Sequence, residues 1–177
     1  MNGLIIYKGK YGATRQYAEW AATALNLPVV AADAKGERLS GFDFLVIGTS
    51  VYMGKLLISQ WLKKNLETLK TKKIYFFLVA GTPPHEQEKL NSYILNGVPE
   101  QIRHHCEIYF FPGRLIRTRL SWKDRLMLRI GAGLTKDPIA KKTMLTDFNY
   151  VKKENITSLV NSVKNFYTIT KEAKHTA

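Results

Sequence analysis

Nearly continuous apolar runs, each the length of one β-strand, constrain the fold of this chain more than any other feature. They cover residues 4–7, 42–49, 74–80 and 107–111, and a shorter run covers 28–32. Strands that are apolar on both faces are typical of a parallel sheet covered by helices on both sides. Helical patterns fill the intervals, at residues 14–25, 55–69, 86–95, 99–105 and 150–167. We therefore predict a doubly wound α/β fold with five parallel strands and helices on both faces.

The chain is expected to form one domain, residues 1–177, in the cytoplasm. Its length suffices for a buried core, and no repeat, low-complexity tract or linker interrupts the pattern. The apolar runs are far shorter than a membrane span. Cys106 is the single cysteine, so no internal disulfide can form and a reducing compartment is the default. We expect its thiol to be buried and inert.

Positive charge is concentrated in one segment. The formal net charge is +13, and residues 113–142, with nine basic and two acidic residues, contribute more than half of it. Because the segment lies between the fifth strand and the last helix, we treat residues 114–142 as a basic insert. Such clustering indicates an anionic partner: a membrane surface, nucleic acid or a carboxylate-rich ligand. The basic residues are Arg114, Arg117, Arg119, Lys123, Arg125, Arg129, Lys136, Lys141 and Lys142.

A helix is expected inside this insert. Ser121 is a suitable N-cap, and Asp124 follows at the third helical position. Trp122, Leu126 and Ile130 recur at every fourth residue, and this stripe is expected to pack at least partly against the sheet. The charges around it would then face a lipid surface or an anionic substrate. Nucleic acid is an unlikely partner because no stacking platform or recognition motif accompanies the charge.

The loop after the first strand has the composition of a phosphate site. Residues 8–14 contain two glycines and two lysines, and Thr14 opens the following helix. Converging backbone N–H groups and the positive end of the helix dipole favour a phosphate at such a place. An ordinary βα turn, in which the glycines only relieve backbone strain, accounts for the same residues. Both interpretations stay open from this stretch alone.

Two further loops should meet the first, because the loops after strands 1, 3 and 4 of a doubly wound sheet lie at one edge. Residues 49–54 offer hydroxyls and an aromatic ring, and residues 80–85 offer a glycine and two prolines. The three loops together favour a phosphorylated ligand that carries a flat ring. The candidate cofactor-binding residues are Lys8, Gly9, Lys10, Tyr11, Gly12, Ala13, Thr14, Thr49, Ser50, Val51, Tyr52, Met53, Gly54, Ala80, Gly81, Thr82 and Pro83.

Other site chemistries fit the sequence poorly. An NAD site needs three glycines in the pattern G-x-G-x-x-G, and this loop has Gly9 and Gly12, although Asp33 follows about twenty residues on. The adjacent His104 and His105 diverge on a helix, so no metal site is predicted. A hydrolase triad has no support either, because Ser50 lacks a histidine and an acid in motif spacing.

The first loop resembles the phosphate loop of the flavodoxin family, with Gly12 and Thr14 in register. It departs from that pattern at Lys8, Gly9 and Tyr11, where the family usually carries hydroxyl residues. The resemblance implies a sheet with strand order 2-1-3-4-5 and FMN as the cofactor. It also implies that the flavin ring lies between the second and third loops, near Tyr52 or Met53.

A closer resemblance covers nearly the whole chain. Residues 47–55, Ile-Gly-Thr-Ser-Val-Tyr-Met-Gly-Lys, look like the second loop of the flavodoxin-like, bacterial-type protoporphyrinogen oxidases. The runs at 112–115, 122–127 and 146–148 are also similar to that family, which carries a basic helical insert after its last strand. These elements occur in the same order, which makes the tail similarity more specific than the glycines.

This second resemblance implies an FMN enzyme that oxidises protoporphyrinogen IX, a tetrapyrrole, and passes the electrons to a membrane quinone. It suggests peripheral attachment to the inner face of the cell membrane. The candidates for binding substrate carboxylates or lipid head groups are Arg114, Arg117, Arg119, Trp122 and Arg125. Two alternatives remain: an electron carrier that serves a redox-protein partner, and a flavodoxin-like module that has lost FMN. Carriers of this family are commonly acidic, which argues against the first.

Overall fold

A parallel sheet forms the centre of the protein, for which we describe residues 2–34 and 39–175 of a computed structural model, without the side chains of residues 140 and 170–175. Its strands are β1 (Gly3–Lys8), β2 (Val29–Ala31), β3 (Phe44–Tyr52), β5 (Lys73–Ala80) and β6 (Cys106–Pro112), with the two-residue β4 (Lys55–Leu56) paired to the end of β3. The order is β2-β1-β3-β5-β6, and these five strands are parallel. Counted without β4, this is the predicted order 2-1-3-4-5, and the fold prediction is confirmed.

Helices cover both faces of the sheet. One layer contains α1 (Ala13–Leu25) and α8 (Thr157–His175), and the other contains α2 (Ser59–Lys64), α3 (Leu66–Leu69), α4 (Gln87–Gly97) and α5 (Glu100–Arg103). Alternate strand residues enter two separate cores. Ile47 and Phe76 pack with the α2–α5 layer, whereas Val46 and Phe77 pack with α1 and α8. The strands are therefore apolar on both faces because each face has its own helical layer.

The connection after β3 differs from the predicted helix at 55–69. β3 continues to Tyr52 and turns back into β4 through Met53 and Gly54, whose φ angles of 50° and 75° belong to a two-residue hairpin turn. The helical part begins only at α2, and Asn65 separates it from α3. Hairpin and helix share the same apolar spacing here, so periodicity alone did not separate them.

The basic insert is longer than the sequence predicted. After β6 the chain forms β7 (Arg114–Leu115), which pairs antiparallel with β8 (Phe148–Asn149). Between these strands lie α6 (Trp122–Leu134) and α7 (Pro138–Leu145). The helix α7 was not predicted; Asp137 caps it by accepting the Ile139 N–H at 2.8 Å, and proline occupies its first position. The predicted final helix at 150–167 begins later, at Thr157, after a short 3-10 turn (Lys153–Ile156).

The orientation of α6 is opposite to the prediction. Trp122, Leu126 and Ile130 are 66%, 48% and 47% exposed, so their stripe does not pack against the sheet. Asp124 and Ala132 are the buried residues of this helix. The turn of the helix toward the body of the protein is therefore set by Asp124, whose partners are described below.

The search for membrane spans among residues 2–34 and 39–175 finds no helix with the length and hydrophobicity that a crossing requires.

Candidate functional site

The loop between β1 and α1 leaves backbone donors free at the start of a helix. Gly12 adopts a φ of 82° and precedes the helix, and its carbonyl accepts the first helical N–H, from Gln16, at 3.0 Å. The N–H groups of Ala13, Thr14 and Arg15 therefore have no acceptor within the helix. Such groups, together with the helix dipole, bind an anion well.

Two residues of this loop pack too closely to allow a larger side chain. A Cβ atom on Gly9 would lie 2.6 Å from Thr14 Oγ1. Thr14 is itself 1% exposed, and the neighbouring Ala13 is buried. The glycine thus lets the loop close over the first turn of α1, which gives the backbone cradle that a phosphate requires.

Both lysines of the loop are paired with carboxylates. Lys8 Nζ lies 2.8 Å from Asp33 Oδ1, at the exposed edge of the sheet. Lys10 Nζ lies 2.7 Å from Asp124 Oδ2 and 3.8 Å from the centre of the Tyr52 ring. Desolvation lowers the pKa of the Lys10 ammonium, but its bonds to Asp124 and Tyr52 outweigh that effect, and the pKa is raised. Lys10 therefore stays protonated and held at Asp124.

Asp124 connects the insert to two of the three predicted loops. Its carboxylate is 7% exposed and accepts hydrogen bonds from the hydroxyls of Tyr11 and Tyr52, the second at 2.6 Å. Its backbone N–H donates to Ser121 Oγ at 3.2 Å, so the predicted helix cap is present. A buried carboxylate with several donors is well compensated. The capping motif identified Asp124, but its burial was missed.

The second predicted loop is mostly strand and hairpin. Thr49 is fully buried, and its Oγ1 accepts the Ile58 N–H at 3.3 Å, which ties β3 to the start of α2. Val51, Tyr52 and Met53 line a cavity, whereas Thr49, Ser50 and Gly54 do not.

The third loop faces the hairpin from the neighbouring strand. Gly81, Thr82 and Pro83 line the same cavity, and Thr82 Oγ1 is hydrogen-bonded to Tyr93 Oη at 3.3 Å. Ala80 is buried and lies behind the loop; its carbonyl accepts the Gly113 N–H at 2.7 Å.

The cavity between these loops has a volume of about 490 Å³, within the usual range for small-molecule sites. Loop residues form one side of it, and the insert forms the other. Sequence reasoning missed most of the insert's contribution, although Asp124, Leu128 and Ala132 recur at every fourth residue and mark a second face of α6. The lining residues from the insert are Arg114, Leu115, Leu120, Asp124, Met127, Leu128, Gly131, Ile139, Thr143, Met144 and Phe148.

The structure separates the arginine candidates of the insert. Arg114 lines the cavity and reaches α1, where its Nη1 donates to Gln16 Oε1 at 2.8 Å. Arg117 turns away, donating from Nη1 to the Leu145 carbonyl at 2.9 Å. Arg119, Trp122 and Arg125 are exposed and lie outside the cavity lining.

Histidine, cysteine and acidic side chains form no metal-binding group of three within the described part of the chain. Cys106 is half-buried rather than buried, and its thiol donates to the Ile102 carbonyl at 3.2 Å. Burial is the main cause that raises the pKa of this thiol to about 12. The thiol is therefore unreactive at neutral pH, as expected for an inert cysteine.

Three solved structures illustrate the similarity of the fold. A flavodoxin, WrbA-like protein from Agrobacterium tumefaciens is 19% identical, covering 62% of this chain and 82% of that protein, with a TM-score of 0.42. A Trp repressor binding protein from Bacillus subtilis is 19% identical over 63% and 85%, with a TM-score of 0.47. A flavoprotein from Lactobacillus acidophilus NCFM, solved in complex with FMN, is 13% identical over 63% and 91%, with a TM-score of 0.44.

Comparison with curated protein sequences gave no match. A family model described as a flavodoxin domain matches residues 4–141, which include all three loops and most of the insert. This match confirms the flavodoxin resemblance and the cofactor that it implies, FMN. The chain belongs to the flavodoxin domain family.

Proposed function

We propose that this chain is a single-domain FMN-dependent oxidoreductase that oxidises protoporphyrinogen IX and passes the electrons to a quinone at an anionic membrane surface. The observation that carries the proposal is the double role of the insert. One side of it lines the cavity between the cofactor loops, and the other side presents apolar and basic residues to solvent.

The residues present fit FMN. The free N–H groups at the start of α1 suit its phosphate, and Gly9 gives the close backbone approach. The flavin ring fits between Tyr52 and Met53 on one side and residues 81–83 on the other, in a mostly apolar cavity. FMN, when bound, supplies reversible uptake of two electrons.

The insert gives the cavity a second apolar wall. Met127, Leu128, Met144 and Phe148 face the cofactor loops across it. This wall supports an apolar donor or acceptor beside the flavin, because such side chains exclude water and bind flat, greasy molecules. In the net reaction the porphyrinogen loses electrons and protons, and the quinone gains them to become a quinol.

The outer side of the insert supports attachment to an anionic membrane. Trp122, Leu134 and Ile139 are 66%, 80% and 72% exposed. Basic residues flank them, including Lys141 and Lys142 on α7, both exposed. Exposed aromatic and aliphatic side chains among lysines and arginines are typical of surfaces that insert into the head-group region.

The enzyme and its alternatives are separated by one assay series. Purified protein is incubated with FMN, desalted and mixed anaerobically with protoporphyrinogen and a soluble quinone. We expect protoporphyrin fluorescence to rise, with stoichiometric quinol, only when both FMN and quinone are present; the same reaction without protein gives the background.

Other outcomes contradict the proposal in distinct ways. Protein that stays colourless after FMN treatment would be a module that has lost its cofactor. Yellow protein that leaves the porphyrinogen unoxidised, yet relays electrons from a flavin reductase to a haem protein, would be an electron carrier.

A further inference from the structure

The cation that faces the phosphate cradle comes from the insert and not from the cradle itself. Lys8 is paired with Asp33, and Lys10 is paired with Asp124 and lies on the Tyr52 ring. Each lysine therefore already has a carboxylate partner within 3 Å, and its charge is largely compensated. Neither lysine is free to supply positive charge for an anion at the start of α1.

Arg114 reaches the same place from the other end of the chain. Its Nη1 donates to Gln16 Oε1, and its Nη2 lies 3.1 Å from the point that a Cβ atom on Gly12 would occupy. Among residues 2–34 and 39–175, no carboxylate lies within ion-pair distance of its guanidinium. Because Gln16 is neutral, it orients the guanidinium without compensating its charge.

The geometry of Arg114 leaves several donors unused. A guanidinium carries five N–H groups in a planar fork, which matches a phosphate in a bidentate way. The hydrogen bond to Gln16 uses one of them. Gly12 and the free N–H groups at the start of α1 lie beside the rest.

We propose that Arg114 binds the phosphate of FMN, with Gln16 as the residue that positions its guanidinium. This inference rests on the proposed binding of FMN. It explains how a loop with Lys8, Gly9 and Tyr11 in place of hydroxyl residues holds a phosphate: an arginine from β7 replaces the missing hydroxyl donors. It also gives Arg114 a different role from binding a substrate carboxylate or a lipid head group.

The test compares two flavins that differ only by the phosphate. The apoprotein is titrated with FMN and with riboflavin, and the dissociation constants are measured from the quenching of flavin fluorescence. We expect Arg114→Gln to weaken FMN binding by about tenfold to a hundredfold, the range of a lost charge-assisted hydrogen bond. Riboflavin binding is expected to stay unchanged.

Further variants separate a local effect from misfolding. Arg119→Gln removes the same charge from an exposed position of the same insert and should leave both affinities unchanged. Gln16→Glu keeps the shape but places a carboxylate on Arg114, so it should weaken FMN binding and spare riboflavin. Arg114→Lys keeps the charge without the fork and should fall between wild type and Arg114→Gln.

Each remaining outcome counts against the inference. If Arg114→Gln leaves FMN affinity intact, or weakens FMN and riboflavin equally, Arg114 does not bind the phosphate, while flavin binding itself stands. Wild-type protein that binds FMN no better than riboflavin has the same meaning. Wild-type protein that binds neither flavin overturns the proposed function as well.

Discussion

Tyr52 and Asp124 lie 72 positions apart in the chain, and the Tyr52 hydroxyl donates a 2.6 Å hydrogen bond to Asp124 Oδ1. This bond joins the β3–β4 hairpin to α6 across the cavity. The Tyr11 hydroxyl and the Lys10 ammonium bind the same carboxylate from the phosphate loop. One buried side chain thus holds together three segments that are remote in sequence.

Replacing Asp124 should loosen the insert. We expect Asp124→Asn to lower the free energy of unfolding by about 1–3 kcal/mol, because a buried ammonium–carboxylate contact and its hydrogen bonds are weakened. Urea denaturation measures this change, and limited proteolysis should show faster cleavage within residues 116–147. Asp33→Asn is the matched control, since its pair with Lys8 is exposed and should contribute at most about 1 kcal/mol. Equal losses for the two variants would contradict a special role for Asp124.

The hairpin turn carries backbone strain at Met53. Its φ of 50° is unfavourable for a residue with a side chain, and 60% of Met53 is exposed, so few packing contacts oppose a substitution. We expect Met53→Gly to raise the free energy of unfolding by about 0.5–1 kcal/mol. Asn26→Gly is the comparison, because Asn26 has a φ of 51° that asparagine tolerates better. Thermal unfolding decides; a loss of stability in Met53→Gly would show that the turn is unstrained.

The outer side of the insert should bind anionic vesicles. We expect the double variant Lys141→Glu and Lys142→Glu to weaken binding to phosphatidylglycerol vesicles at least about tenfold, since each lysine near such a surface contributes about 1 kcal/mol. Co-sedimentation with vesicles measures it. Lys63→Glu with Lys64→Glu changes the same charge on α2 and should leave vesicle binding nearly unchanged. A similar loss in both double variants would mean that net charge, and not the insert, drives attachment.

The Cys106 thiol gives a prediction about alkaline pH. Burial raises its pKa from 9.0 to about 12, so the folded protein keeps the proton that the unfolded chain releases. Its contribution to stability is complete below pH 9 and is lost as the pH rises toward 12. Between those values the wild type should lose about 1.4 kcal/mol per pH unit more than Cys106→Ala in urea titrations. Identical pH dependences would contradict the raised pKa.

Ellman's reagent at pH 8 gives an independent check on Cys106. The native thiol should react slowly, and the urea-unfolded thiol should react at the rate of a free cysteine.

The sequence predicted the sheet because burial on both faces leaves an unmistakable pattern. Runs such as residues 74–80 are apolar throughout, and that property depends only on local composition. The strands β4, β7 and β8 have two residues each and are too short for any periodic pattern. Their formation depends on partners elsewhere in the chain, which local composition does not encode.

The helix α6 shows where periodicity reaches its limit. It contains an apolar stripe that includes Trp122 and Leu126, and a second stripe that includes Asp124 and Leu128. Hydrophobicity alone favours burial of the first stripe, whereas the second is the one that faces the body of the protein. The deciding contacts come from Tyr11 and Tyr52, and no signal within the insert itself identifies them.

The ends of the insert meet at one hydrogen bond, in which the Gly113 carbonyl accepts the Tyr150 N–H at 3.1 Å. Residues 114–149 can therefore be lengthened, shortened or exchanged without moving β6 or α8. Loop-closure entropy changes by only about 0.6 kcal/mol for each doubling of length, so the body tolerates such changes thermodynamically. The insert behaves as an exchangeable cassette, and the contacts of Arg114 and Asp124 are the ones that a transplanted cassette would have to reproduce.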